Sequence, residues 1–570
     1  MTTREHYFSI LPGVGIMEFW RPGISDYEKF VRTGNISYLY HMESFDFAIA
    51  LAYFVILAIL SFYGLHRYIM VYFFHRYRKN VAVVKEQFTE LPRVTVQIPS
   101  YNEMYVMERV IDAACAFDYP RNRLEIQVLD DSTDETQVVA RNAVERWRNL
   151  GLDIHYIHRS NRNGFKAGAL ENGLRSAKGD FIAIFDADFV PEPDFLQRAI
   201  HHFTDPRIGI VQGRWEHLNR EYSFLTRTQA IFLDGHFMLE SFTRFVSGRF
   251  FNFNGTAGII RRKTIDDAGG WEHDTLTEDL DLSYRAQIKG WKFVFLPDVT
   301  VPAELPVEMN SFKSQQCRWA KGAMQTCKKV LHRILKSDLS AGEKLEAWYH
   351  LTGNICYPLM LVLSFILFPA LIIRFNQGWF ELLTVDLPLF LLSFSSVSTF
   401  YLTSQKVLHR DWYKRILYLP GLIAVGIGMS VSVAKAVLEG AFGIKSPFIR
   451  TPKFSVEGVK GEWRNKKYRA EVGVIPLIEI AMGVYFTCVN FYALQLGIYG
   501  VVPFLFLFQF GYFFTGFCSL AQGFKKSNLP EEALDSRQKA ISSKVPGYSG
   551  VLALGQGQSE EEQWAVGGRQ

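Results

Sequence analysis

The 570-residue chain is poor in the features that mark several protein classes. Its six cysteines (Cys115, Cys317, Cys327, Cys356, Cys488, Cys518) have neither CxxC spacing nor histidine partners, so neither a disulfide framework nor a zinc site is supported. The net charge of +5 at pH 7 is too small and too dispersed for a nucleic-acid binder. Arg, Asp, Glu and Pro all occur in the first 44 residues, before any long apolar run. A cleavable signal peptide is therefore not expected, and the first hydrophobic segment reads as a lasting anchor.

Charge is itself scarce, at 21% against 48% hydrophobic residues that include 48 Phe. A chain of this length needs two or more structural units. Apolar stretches at about 45–74, 348–373, 383–404, 416–438, 472–497 and 499–521 are each long enough to cross or lie deep in a bilayer. The basic run His75-Arg-Tyr-Arg-Lys79 places the chain beyond the first span in the cytoplasm. Lys406, Arg410, Lys414 and Arg415 precede the 416–438 stretch, and Lys445, Arg450, Lys453 and Lys460 come after it. With basic loops on both sides it is expected to lie in the membrane plane or re-enter, near 416–440, rather than cross. The expected topology is then five spans, an outside N-terminus and a cytoplasmic C-terminus. Residues 1–44 form an N-terminal segment, and 523–570, rich in Ser, Gly, Gln and Glu, a disordered tail.

Between about 92 and 310 short β-branched runs alternate with helical patterns. Strands are expected at Val94–Ile98, Leu124–Leu129, Ile154–Ile157 and Phe181–Phe185, with helices starting near 104, 133 and 166. This alternation predicts βαβ units and a Rossmann-like, mostly parallel sheet. Ligands of such sheets gather outside the carboxyl ends of the strands. Every polar motif lies there: Pro99-Ser-Tyr-Asn-Glu103, Asp130-Asp131, the loop from Arg159 to Lys166, and Asp186-Ala-Asp188.

Alternate residues at a strand end point the same way, so Asp186 and Asp188 can reach one hard cation carrying a diphosphate; the plainer reading is a solvated strand end. Asp130 and Asp131 can accept hydrogen bonds from a nucleobase or ribose, or cap the next helix. Lys166, in a Gly-containing turn with Arg162, can add positive charge beside phosphates; the plainer reading is a solvated loop Lys and Arg. Thr277-Glu-Asp279 heads a helical stretch, which makes Glu278 and Asp279 either dipole-stabilised caps or, in Asp279, a general base. Gln315, Arg318 and Trp319 fall at i, i+3 and i+4 on one face of an amphipathic helix over 311–336, expected to lie in the membrane interface. An indole can stack on a pyranose while a guanidinium forks to phosphate. Together these residues point to a nucleotide-sugar site.

The ordered set Asp130-Asp131, Asp186-x-Asp188, Thr277-Glu278-Asp279 and Gln315-x-x-Arg318-Trp319 resembles the processive family-2 glycosyltransferases, the cellulose, mannan, chitin and hyaluronan synthases, over about residues 90–460. The wording from Lys313 to Gly322 is most similar to bacterial relatives of the cellulose-synthase-like A branch, the glucomannan and mannan synthases. The resemblance implies an α/β GT-A domain inserted between transmembrane helices. It implies Pro99, Tyr101, Glu103, Asp130, Asp131, Lys166 and Asp186 around the nucleotide-sugar, with Asp131 on the nucleobase, and Asp186 with Asp188 on Mg2+ or Mn2+. Asp279, beside Glu278, would be the general base, and Gln315, Arg318 and Trp319 would hold acceptor sugar and diphosphate. Phe448, Thr451 and Lys453, in a loop over 443–470, are similar to a gating motif Phe-x-Val-Thr-x-Lys, with Arg450 in place of the Val.

The activity implied is an inverting β-glycosyltransferase, integral to a bacterial plasma membrane or its equivalent. It would polymerise a β-glucan, mannan or glucomannan from UDP-glucose or GDP-mannose on the cytoplasmic face and pass it through the spans. Two other readings use the same acids or the same fold: a non-processive enzyme that places one or a few sugars on ceramide or diacylglycerol, and an inactive scaffold or transporter. No cyclic-di-GMP-binding domain is visible, and accessory subunits are not legible.

Overall fold

The structure is a computed structural model that describes residues 44–376, 383–446, 450–464, 466–468, 470, 472–495, 497 and 499–524. The expected N-terminal segment, nearly all of the expected disordered tail, and Phe448 of the gating motif lie outside the described residues.

The four expected strands form as β1 (Val94–Ser100), β2 (Leu124–Asp130), β3 (Ile154–His158) and β4 (Phe181–Ile184). Three more complete the sheet, β5 (Ile208–His217), β6 (Gly258–Arg261) and β7 (Lys292–Ala303), in the order β3-β2-β1-β4-β6-β5-β7. All neighbours are parallel except β6, which runs antiparallel to both β4 and β5. Helices Met107–Cys115, Thr136–Asn149 and Phe165–Ser176 supply the crossovers.

Both faces of the sheet are covered, and its central strand β4 is apolar on both sides. Val94, Val96 and Ile98 of β1 pack with Ala183 and Phe185 in one cluster, while Ile182 and Ile184 of β4 face the other. The second face of β1 also carries polar side chains that are satisfied across the strand pair. Thr95 Oγ1 donates to Glu125 Oε2 at 2.6 Å and Gln97 Nε2 to Gln127 Oε1 at 3.0 Å, all fully buried or nearly so. The chain leaves β1 toward β2 on one side and is flanked by β4 on the other, a switch point where loops diverge and a crevice opens.

Among the described residues four helices are long and apolar enough to cross a membrane: Ser44–Tyr77, Ala341–Ile373, Ile475–Gln495 and Tyr499–Gly523. The segment expected as a further span at 383–404 is the helix Leu383–Leu408, packed along Ser44–Tyr77, where Ser61 Oγ donates to the Leu389 carbonyl at 3.1 Å. The stretch expected to re-enter is a pair, Trp412–Gly428 and Ser430–Phe442, bent by 49° at Met429.

The helix expected at 311–336 is Met309–Lys336. Its apolar stripe of Met324, Cys327, Val330 and Ile334 packs against Val433 and Val437 of the bent pair. It is pinned on both sides by ions: Lys329 reaches Asp274 at 2.7 Å in the α/β domain, and Lys313 pairs with Glu479 of the Ile475–Gln495 helix.

Candidate active site

A cavity of about 180 Å3 opens at the carboxyl ends of the strands, and it gathers nearly every residue singled out in the sequence. Pro99, Tyr101 and Glu103 come from the loop after β1, Asp131 from that after β2, Lys166 from the first turn of Phe165–Ser176, and Asp186 and Asp188 from the end of β4. Glu278 and Asp279 open the helix Glu278–Ile288, Gln315, Arg318 and Trp319 line the wall from Met309–Lys336, and Thr451 and Lys453 close one side. Asp130 is the one residue of that set, among those described, that does not reach the cavity. Its carboxylate is fully buried and accepts from the Ser132 N–H at 3.0 Å and the Tyr156 hydroxyl at 2.7 Å. Strand alternation sends one member of the Asp130-Asp131 pair inward to brace the loop and leaves Asp131 for the crevice.

The loops after β1 and β2 hold each other. Asn102, at φ 54°, donates its N–H to Ser132 Oγ at 2.7 Å and accepts from the Thr133 N–H at 2.8 Å. Asp131 is clamped by Arg159, Nε to Oδ1 at 2.7 Å and Nη2 to Oδ2 at 2.5 Å, a fork that fixes the carboxylate plane. The Arg162 guanidinium lies 3.4 Å from the Tyr101 ring centroid.

The acids at the end of β4 each carry an ammonium. Lys166 Nζ is 2.5 Å from Asp186 Oδ1 and also donates to the Gly255 carbonyl at 3.0 Å. Lys453 Nζ is 2.6 Å from Asp188 Oδ2. Burial raises the Asp186 carboxyl above its ordinary value, with Lys166 opposing. The Lys166 ammonium, which burial alone would lower, ends raised because Asp186 and the acid turn surround it.

The acid turn is the most strongly perturbed part of the cavity. Asp279 Oδ1 accepts from the Leu280 N–H at 2.8 Å at the start of its helix. A Cβ on Gly255 would stand 2.9 Å from Asp279 Oδ2 and 3.3 Å from Lys166 Nζ, and Gly255 has φ +79°, so only glycine lets this loop lie against both. Burial, with the Glu278 charge beside it, pushes Asp279 up to about 7, and burial likewise raises Glu278. A carboxyl with a pKa near working pH is suited to accept a proton.

The wall helix approaches the acid turn through a second glycine. A Cβ on Gly322 would meet Thr277 Cγ2 at 2.5 Å and Thr277 Oγ1 at 2.7 Å. Gln325 Oε1 then accepts from the Leu276 N–H at 2.9 Å, and the hydroxyls of Thr277 and Thr326 are 3.3 Å apart. This contact sets Gln315, Arg318 and Trp319 opposite Asp279. Burial holds the Arg318 guanidinium below its ordinary pKa, and the facing acids Glu278, Asp186 and Asp279 oppose it.

Several residues in or behind the cavity wall were not expected from the sequence. Arg159 lies in a loop whose polar pattern stands out, yet only its clamp on Asp131 shows its part. Arg450, the departure from the gating motif, reaches Glu103 at 3.1 Å; burial pushes Glu103 up to about 7 with Arg450 opposing. Trp215 and His217 at the end of β5 line the deep wall beside Trp319, with the Trp215 and Trp319 ring centroids 6.4 Å apart. The substitution at position 450 was a usable signal; β5 gave none.

Residues 92–322 match the family described as glycosyltransferase like family 2. The chain is 33% identical over 450 residues to glucomannan 4-beta-mannosyltransferase 7 of Arabidopsis thaliana, covering 75% of this chain and 76% of that one. It is 34% identical over 439 residues to the probable glucomannan 4-beta-mannosyltransferase 15 of the same plant, covering 74% and 76%. Among solved structures, a mannosyltransferase from Pyrobaculum calidifontis in complex with GDP-mannose and Mn2+ is similar at 20% identity and a TM-score of 0.44, over 70% of this chain and 100% of that one.

Proposed function

From the premise that this chain belongs to the family-2 glycosyltransferases and is a hexosyltransferase, we propose that it makes a mannan or glucomannan by inverting transfer from GDP-mannose. The single observation that carries the reading is the meeting of three sets in one cavity: the strand-end acids, the acid turn, and the Gln315, Arg318 and Trp319 face.

Asp279 takes the proton of the acceptor hydroxyl, whose oxygen bonds to the anomeric carbon while the bond from that carbon to the diphosphate breaks on the opposite side. The electron pair leaves with the nucleoside diphosphate, so the configuration inverts once and no covalent intermediate is needed. Asp131, fixed by Arg159, holds the nucleobase, with Tyr101 and Arg162 beside it. Trp319 stacks on the acceptor sugar, and Arg318 and Gln315 bind acceptor and diphosphate.

Asp186 and Asp188 fit a divalent ion, Mg2+ or Mn2+: both present hard carboxylate oxygens, and each already draws a cationic side chain. Such an ion supplies Lewis-acid neutralisation of the leaving diphosphate. Lys166 lies where developing charge needs a second positive group.

The acceptor is a growing polysaccharide, the catalytic cavity faces the cytoplasm, and the product crosses the bilayer beside the helices that anchor the wall helix. The Lys313–Glu479 pair supports this, because it ties the acceptor wall directly to an apolar helix. The test uses the purified full chain in nanodiscs with radiolabelled GDP-mannose or UDP-glucose and Mg2+ or Mn2+. The expected product is a long polymer cut by β-mannanase, absent with Asp279→Asn. A product of one or two sugars on lipid, or no transfer from either donor, refutes the proposal.

A further inference from the structure

Lys453 sits on a strap, far along the chain from the strand-end acids, yet its ammonium is 2.6 Å from Asp188 Oδ2 and donates to the Glu304 carbonyl at 2.7 Å. The contact is enclosed, with the two side chains 8% and 10% exposed. A carboxylate oxygen bonded this closely to an ammonium presents the same lone pairs that a hard cation needs. Lys453 and a divalent ion therefore compete at Asp188 Oδ2 in this arrangement, since two cations on one oxygen repel each other. Lys166 makes the corresponding contact with Asp186 Oδ1 at 2.5 Å and, like Lys453, has a second bond, to the Gly255 carbonyl; it belongs to the sheet domain's own first helical turn, whereas Lys453 reaches in from the strap.

The strap itself is held. Phe454 and Val456 are buried with Val307 and Trp463, and the Phe454 N–H donates to Glu304 Oε1 at 2.8 Å. What can move is the four-carbon stem of Lys453, a flexible carrier of a point charge. The anions within reach of an ammonium leaving Asp188 are the Glu304 and Glu103 carboxylates and, with a donor bound in the same cavity, its diphosphate, which carries the most charge.

We propose that Lys453 and the divalent ion exchange at Asp188, the displaced ammonium passing to the diphosphate, so that ion and nucleotide each strengthen the other's binding. Reciprocity is required: whatever factor nucleotide adds to ion affinity, the ion adds to nucleotide affinity. The exchange deepens the proposed function and rests on its placement of the ion at Asp186 and Asp188.

The test measures free Mn2+ by electron paramagnetic resonance during titration of the full chain in nanodiscs, alone and with saturating GDP or UDP, and needs no turnover. The wild type is expected to bind Mn2+ at least ten-fold more tightly with nucleotide than without. Lys453→Met is expected to bind Mn2+ alone about ten-fold more tightly than the wild type, with the nucleotide effect reduced to less than three-fold. Should Lys453→Met lose its monodisperse profile, Lys453→Gln, which can still donate a hydrogen bond, answers the same question. Mn2+ affinity unchanged or weakened in these variants, or an intact nucleotide effect, overturns the exchange. Asp188→Asn separates the two levels. If it binds Mn2+ like the wild type, the ion's placement fails and the exchange with it; if it loses Mn2+ while Lys453→Met is unchanged, only the exchange fails.

Discussion

Asp279→Asn should cut transfer by orders of magnitude and, at neutral pH, make the protein more stable. Asn keeps the Oδ1 that accepts from the Leu280 N–H and fits beside Gly255, so the turn is unchanged apart from a charge. That charge is costly. The Asp279 carboxyl is raised from 3.8 to about 7, so its folded form holds a proton that the unfolded chain has already lost. The stabilising contribution of this protonated group is complete below about pH 4 and is lost as pH rises to about 7; above that the ionised group imposes a constant penalty. At 1.36 kcal/mol for a tenfold change in proton affinity the penalty is bounded by about 4 kcal/mol, and solvent access and proton sharing with Glu278 reduce it to about 2–3 kcal/mol. For a domain of about two hundred residues this corresponds to an apparent midpoint higher by on the order of 5 to 10 °C at pH 8. Differential scanning fluorimetry at one fixed scan rate, without nucleotide or divalent ion, measures it. The gap should shrink to near zero at pH 4. Transfer should fall by roughly 10²–10⁴ with donor binding retained, as for loss of a general base. A gap equal at pH 4 and pH 8, or a variant less stable at both, would refute the account of Asp279 as a buried, charge-strained base.

The initial rate at low substrate should rise with pH through about 7 as Asp279 ionises, measured as kcat/KM on fixed donor; a rate flat from pH 5.5 to 8.5 argues against Asp279 as the base. Gly322→Ala should lower transfer at least ten-fold with little change in nucleotide affinity, because a methyl 2.5 Å from Thr277 Cγ2 forces the wall helix off the acid turn. Lys313→Met leaves Glu479 buried without its cation and should cost about 3–5 kcal/mol, visible as a lower thermal midpoint. The double variant Lys313→Met with Glu479→Leu should recover most of the loss, and additive losses would contradict a paired charge. Arg318→Lys should raise KM for donor several-fold, since a point charge cannot reproduce a planar fork.

Much of the site was legible because each motif is local. Strand β4 ends where its apolar run ends, so Asp186 and Asp188 needed only the rule that ligands meet strand ends. The i, i+3, i+4 spacing of Gln315, Arg318 and Trp319 likewise required only that the segment be helical. The residues alone left open which of Asp130 and Asp131 faces the cavity, because it depends on where β2 stops and on Tyr156 of a neighbouring strand; only the resemblance singled out Asp131. Strands β5 to β7 were hidden for separate reasons. Strand β6 stands outside the βαβ alternation, antiparallel to both neighbours, and β7 contains Pro297 and Asp298 at its irregular register with β5, where a sequence pattern reads as a turn. The partnership of Lys453 with Asp188 joins distant parts of the chain, and no spacing rule reaches that far.

The close approach of Gly322 to Thr277 bears on how separable the enzyme's parts are. A protein cut after β7 would keep the whole sheet and both strand-end acids, yet it would lose the helix that covers Thr277 and accepts from the Leu276 N–H through Gln325. Asp279 would then stand in water, its proton affinity would return toward that of a free aspartate, and the soluble remainder would bind nucleotide without transferring sugar. The acid turn and the wall helix are thus one unit, and the sheet cannot be parted from that helix without undoing the turn.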